Sequence, residues 1–100
     1  MKRVQRRVAR WLAWYFRRNG YLRWQKEDRV ANEGWQRYKK GDEVRLVANT
    51  KEELRLVRGL LREGGFKPGR PFRKGLQYRQ PVYGRLAVAR FLKVVERVNL

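Results

Sequence analysis

The side chains in this chain that could do chemistry are cations set in alternation with apolar residues. Tyr21-Leu22-Arg23-Trp24-Gln25 places Arg23 and Gln25 on one face of an extended segment and Leu22 and Trp24 on the other. Arg37, Lys39 and Arg45 alternate in the same way against Val44, Leu46 and Ala48. Arg70, Arg73, Lys74, Gln77 and Arg79 follow in a second predicted strand pair. These are the residue types that contact phosphates and base edges: the planar guanidinium fork suits phosphate and guanine, and the Gln amide suits a base edge. The densest basic run, Lys67-Pro68-Gly69-Arg70-Pro71-Phe72-Arg73-Lys74-Gly75, has glycines that let backbone approach a phosphate closely.

Other chemistries are excluded by residue type. Histidine and cysteine are both absent, which removes the usual general base, the usual zinc ligands and any disulfide framework. Glu27, Asp28, Asp42 and Glu43 fall at expected strand ends or turns and read as solvated charges, not as a metal site. Lys and Arg number 27 against 9 acidic residues, a formal charge of +18, and a polyphosphate is the natural counterpart of such a surplus. The chain is nevertheless 42% hydrophobic and 13% aromatic, so a packed core is expected in place of a disordered basic tail. Its 100 residues suit one domain spanning 1–100. No run of 18 apolar residues occurs, and the basic N-terminal stretch is interrupted by Arg10 and reads as part of the fold. The expectations are a cytoplasmic or nucleoid-associated setting and no membrane partner, although Arg3, Arg6, Arg7 and Arg10 form a basic face on the first helix.

The elements that must position these side chains are punctuated clearly. Residues 3–18 read as a helix with Val4, Val8, Trp11, Leu12 and Tyr15 at helical spacing, and with Ala9, Ala13 and Phe16 as a second strip. Asn19-Gly20 ends it. Strand character covers 21–27 and 35–48 around a polar turn near Asn32-Glu33-Gly34, with a break at Lys40-Gly41. Thr50-Lys51-Glu52-Glu53 is a capping box, and the helix it opens carries Leu54, Val57, Leu60 and Leu61 before stopping at Gly64-Gly65. Residues 66–74 and 76–83 predict short strands about a Lys74-Gly75 turn, with Pro68, Pro71 and Pro81 at irregular or edge positions. Residues 84–98 are a final amphipathic helix. Trp11, Phe16 and Trp24 are expected in the core, whereas Trp35, Tyr38 and Tyr78 divide evenly between packing and base stacking.

This order resembles the core of the LAGLIDADG homing endonuclease family. Leu12-Ala13-Trp14-Tyr15-Phe16-Arg17-Arg18-Asn19-Gly20 lies over the family's signature helix end, with Leu12, Ala13 and Gly20 matching outright. The stretch from Val44 through Ala48-Asn49-Thr50 to Gly65, and that from Tyr78 through Tyr83-Gly84-Arg85 to Leu92, extend the likeness over nearly the whole chain. The resemblance implies an α+β, αββαββα domain whose antiparallel saddle-shaped sheet lies in a DNA major groove, with helices packed on one face. It also implies a divalent metal held by the acid next to the final glycine. Here that position is Asn19, and Arg17 replaces an earlier acid; an amide is a poor Mg²⁺ ligand. The expectation is therefore a protein without catalytic residues or cofactor, Mg²⁺ being required only if it is a nuclease after all. The family's small residues at the helix pairing surface are Trp14 and Arg18 here, so monomer and homodimer through the first helix are equally expected.

The function these residues predict is duplex-DNA binding without cleavage, through the basic face of the sheet. Structured-RNA binding is the alternative, a metal-dependent homing-type endonuclease the second alternative, and an acidic protein partner a weaker one.

Overall fold

The computed structural model describes residues 4–24 and 41–98. Gln25, Arg37, Lys39, the turn at 32–34, Trp35, Tyr38, Glu27 and Asp28 lie outside the described residues. The elements are helix α1 (Arg6–Arg17), strands β1 (Tyr21–Arg23) and β2 (Glu43–Ala48), helix α2 (Lys51–Glu63), strands β3 (Phe72–Lys74) and β4 (Gln77–Tyr83), and helix α3 (Arg85–Glu96). This is an α+β fold with three helices and one four-stranded antiparallel sheet, in the order β1-β2-β4-β3.

Local chemistry explains each boundary. α1 stops at Asn19, which takes φ 64°, and a Cβ on the following Gly20 would lie 2.2 Å from the Phe16 carbonyl oxygen. Thr50 Oγ1 accepts the Glu53 N–H at 3.0 Å and opens α2. The box is not reciprocal as predicted: the Glu53 carboxylate accepts the N–H of Asn49, at 2.9 Å, and not that of Thr50. α2 closes in a Schellman arrangement, with Gly65 at φ 82°, its N–H on the Arg62 carbonyl and the Phe66 N–H on the Leu61 carbonyl. A two-residue turn at Gly75-Leu76, with Gly75 at φ 63°, joins β3 to β4.

The register fixes two faces. Val44 pairs with Val82 and Leu46 with Gln80, and Val44, Leu46 and Val82 join one apolar cluster with Val8, Leu12 and Tyr15 of α1, Val57 and Leu61 of α2 and Val88 and Phe91 of α3. All three helices thus cover one face of the sheet. The predicted inward set of β2, Val44, Leu46 and Ala48, is fully buried. α1 and α2 are pinned at both ends by Arg7–Glu63 (2.7 Å) and Arg18–Glu53 (2.5 Å), which makes them antiparallel neighbours.

Several expectations are corrected. Trp11 and Trp24 are nearly half exposed, not core residues; Phe16 does pack, edge-on to Phe91. Residues 66–71 are not a strand, since only Phe72–Lys74 pairs with β4. Pro81 is not at an edge but in β4, an inner strand, opposite Arg45. Its carbonyl accepts the Gly69 N–H at 2.8 Å, so its ring nitrogen faces the side where β3 has already ended, and no ladder bond is lost.

Candidate functional site

The face of the sheet turned away from the helices is built from the other register positions: Tyr21 and Arg23 of β1, Glu43, Arg45 and Val47 of β2, Gln77, Arg79, Pro81 and Tyr83 of β4, and Phe72 and Lys74 of β3. Arg23, Arg45, Lys74, Gln77 and Arg79 therefore share one face, which alternation predicted for Arg23 and Arg45 alone. Arg73 does not: it pairs with Tyr78 on the helix side and lies over that ring at 5.6 Å. Arg70 sits exposed in the irregular segment before β3.

At one end of this face the cations have an acid. Glu43, expected to be a solvated turn residue, is 1% exposed. Its carboxylate accepts from Arg23 Nη2 at 2.7 Å and from Arg45 Nε at 2.5 Å. Arg23 Nε donates to the Gly41 carbonyl at 3.1 Å. Arg45 also lies between two rings, 4.8 Å from the Tyr21 centroid and 5.1 Å from that of Phe72. The hydrogen bond to Glu43 raises the Arg45 guanidinium above its ordinary value, so it stays charged at any working pH. Of the two partners of Glu43, Arg45 is two residues away on the same strand face, whereas Arg23 is 20 residues upstream and beyond the reach of local sequence.

At the other end the cations have none. Lys74 and Arg79 make no ion pair among the described residues, and residues 64–95 contain neither Asp nor Glu. Arg79 Nε is buried without a hydrogen-bond partner, alone among the side-chain nitrogens and oxygens of the described residues. Gln77 is partly committed, its amide donating to Asn49 Oδ1 at 3.0 Å. Tyr21, Phe72 and Tyr83 leave rings exposed on this face, a set not foreseen from the sequence although the parity of Tyr21 with Arg23 carried it.

Much of the remaining basic charge is used within the fold. Arg17 Nη2 donates to the carbonyls of Val95 and Val98 at the end of α3. Arg18 Nη2 donates to the Val47 carbonyl and to Glu53, with its guanidinium 4.7 Å from the Trp14 ring centroid. Arg58 joins the Gly69 carbonyl to Gln80 Oε1, and Arg90 reaches the Gly64 carbonyl while stacking on Phe66 at 4.0 Å. Burial alone would raise the Glu53 carboxyl; the hydrogen bond from Arg18, the Asn49 N–H and the Arg18 charge outweigh it and hold Glu53 below the ordinary glutamate value.

Among the described residues the divalent metal implied by the homing-endonuclease resemblance finds no donor set. Asn19 stands where the acid would be, Arg17 and Arg18 beside it point into the fold, and no three His, Cys, Asp or Glu side chains converge among the described residues. Among the same residues no helix is long and apolar enough to cross a membrane. Comparisons with protein-family models, with curated proteins and with solved structures returned no match.

Proposed function

We propose that this chain is a nucleic-acid-binding domain that docks the outer face of its sheet into the major groove of duplex DNA and does not cleave it. The observation that carries this reading is the unpartnered cationic end of that face, where Lys74 and Arg79 have no acid among the described residues. A phosphate oxygen is an acceptor of the right charge. Support also comes from the element order, αββαββα with helices on one face, which is the order the LAGLIDADG resemblance implies for a saddle in the groove. Non-cleavage is proposed because Asn19 stands where the resemblance would place the metal-binding acid. In this reading the domain acts alone or as a homodimer through α1, where Trp11 and Trp14 are nearly half exposed.

The test is binding to labelled duplex DNA, single-stranded DNA and hairpin RNA over a salt series, with Lys74→Ala/Arg79→Ala beside the wild type. Preference for duplex DNA, and a salt slope reduced by about 0.9 for each phosphate no longer neutralised, supports the reading. A double variant with unchanged affinity and slope would rule out this face.

One observation favours a second reading. The exposed rings of Tyr21, Phe72 and Tyr83 on a cationic sheet suit stacking of unpaired bases, as in RNA loops. Preference for the hairpin in the same experiment selects it.

A further inference from the structure

Resting on the duplex-DNA reading above, the geometry points to a base-specific contact: we propose that Arg23 and Arg45, held by Glu43, form a reading head for guanine. Each guanidinium has five N–H donors in a rigid plane. In Arg45 the Nε edge is taken, by Glu43 Oε2 at 2.5 Å, with Nη2 at 3.4 Å from Oε1. In Arg23 the same edge is taken, by the Gly41 carbonyl and Glu43 Oε1. Nη1 of both arginines makes no hydrogen bond among the described residues, so each keeps its terminal Nη1/Nη2 fork open. Both side chains are one quarter exposed, whereas that of Glu43 is 2% exposed beneath them.

This is more than two cations near an acid. The Tyr21 and Phe72 rings lie against the Arg45 guanidinium from two strands, and the Glu43 carboxylate holds its Nε edge. The rotamer entropy of the contact is lost on folding, before any ligand arrives. A fork so fixed accepts two acceptors side by side in one plane. On the major-groove edge only guanine presents such a pair, O6 and N7; adenine sets a donor beside N7, and thymine offers one acceptor and a methyl. A phosphate also presents two oxygens, but Glu43 cancels one of the two charges, which weakens the cluster for phosphate and leaves its geometry intact. Lys74 and Arg79 at the other end of the face have no such acid among the described residues and suit the backbone.

The experiment is selection from a random duplex library by wild type and by Arg45→Lys, which keeps the charge and loses the fork. The selected duplex is then remade with 7-deazaguanine, which lacks the N7 acceptor. The wild type should enrich guanine at one or two neighbouring positions. Arg45→Lys should lose the guanine preference on the order of tenfold, read as the ratio of its affinities for the selected and the random duplex. The 7-deaza probe should weaken the wild type by a similar factor and leave Arg45→Lys unmoved; its wild-type arm does not depend on any variant folding. Duplex binding without guanine enrichment, a preference that survives Arg45→Lys, or a loss of affinity equal for all sequences (a phosphate contact) would each overturn the guanine assignment while leaving duplex binding in place. Failure of the wild type to bind duplex at all would overturn the functional reading beneath it.

Discussion

Arg79→Met should make the protein more stable and a weaker binder of nucleic acid. The Arg79 stem lies between Val47 of β2 and Phe72 of β3, its register partners. Methionine is unbranched and of similar reach, so it keeps the stem's packing. What it removes is a buried Nε–H with no acceptor. An unmade hydrogen bond at a buried donor costs about 1–3 kcal/mol. The end of the side chain is partly solvated, so the lower half of that range applies, about 1–2 kcal/mol of stabilisation. Removing one charge from a surplus of +18 adds in the same direction. With an m-value of about 1–2 kcal/mol/M, the urea midpoint should rise by roughly 1 M. In a parallel salt titration against duplex DNA, the slope of log K on log salt should fall by about 0.9 and affinity at low salt by about tenfold. The two signs together are diagnostic. A lower urea midpoint would mean that Arg79 serves packing and that its unpartnered nitrogen stores no instability. A higher midpoint with unchanged binding would mean that the Arg79 charge meets no phosphate.

Four further outcomes test the fold that presents this face. Gly20→Ala, whose Cβ would sit 2.2 Å from the Phe16 oxygen, should destabilise by about 2–4 kcal/mol. Gly59→Ala inside α2, where a Cβ meets nothing within 4 Å, should instead stabilise by about 0.5–1 kcal/mol; paired thermal melts read both. Gln80→Ala removes a fully buried amide that accepts from Arg58 and donates to the carbonyls of Gly69 and Pro81, and should cost about 3 kcal/mol by urea unfolding; a loss under about 1 kcal/mol would show that the segment before β3 does not depend on it. Glu53 has a folded-state pKa below its unfolded value of 4.5, so its contribution is complete above that value and is lost as pH falls through the folded pKa. Arg18→Met should flatten this acid limb, removing about 0.5–1 kcal/mol of the pH-dependent part, as fits a partly exposed pair; an acid limb equal to that of wild type would refute the assignment.

What was legible in the sequence was what neighbouring residues decide. Thr50 and Glu53, Gly64-Gly65, Asn19-Gly20 and Lys74-Gly75 mark the ends they were read to mark, because caps and turns are settled within a few residues. The parity of Val44, Leu46 and Ala48 against Arg45 also held, since a strand buried on one face must alternate. Properties set by distant partners were not legible. Trp11 lies on the α1 stripe that carries Arg7 and Arg18, and only the ion pairs with Glu63 and Glu53 reveal that this stripe runs along a seam with α2, at the surface and not over the sheet. Pro81 looks like an edge residue until Gly69 is seen occupying its free side. Glu43 looks like a turn acid until Arg23 arrives from another strand. At the candidate site, alternation made the shared face of Arg23 and Arg45 readable, the register of β3 and β4 alone adding Lys74, Gln77 and Arg79 to that face. Its division into an acid-held end and an open end was not readable.

That division bears on how so basic a chain folds at all. A charge of +18 opposes compaction, yet part of it sits where the backbone is most negative. Arg17 covers the final carbonyls of α3 and Arg90 the end of α2, the positions where a helix leaves carbonyls unpaired and its dipole is negative. Arg18 and Arg58 each tie a carbonyl to a side chain from another element. Arg18 and Arg90 also bring a guanidinium over the Trp14 and Phe66 rings, a contact that arginine makes more often than lysine. Arginines bound in this way are withdrawn from phosphate. If every surplus charge met a phosphate, the salt slope would approach about 16, at about 0.9 for each phosphate neutralised. A domain whose arginines are divided between internal clamps and ligand binding must show a slope well below that, and the shortfall measures how much of the charge belongs to the fold.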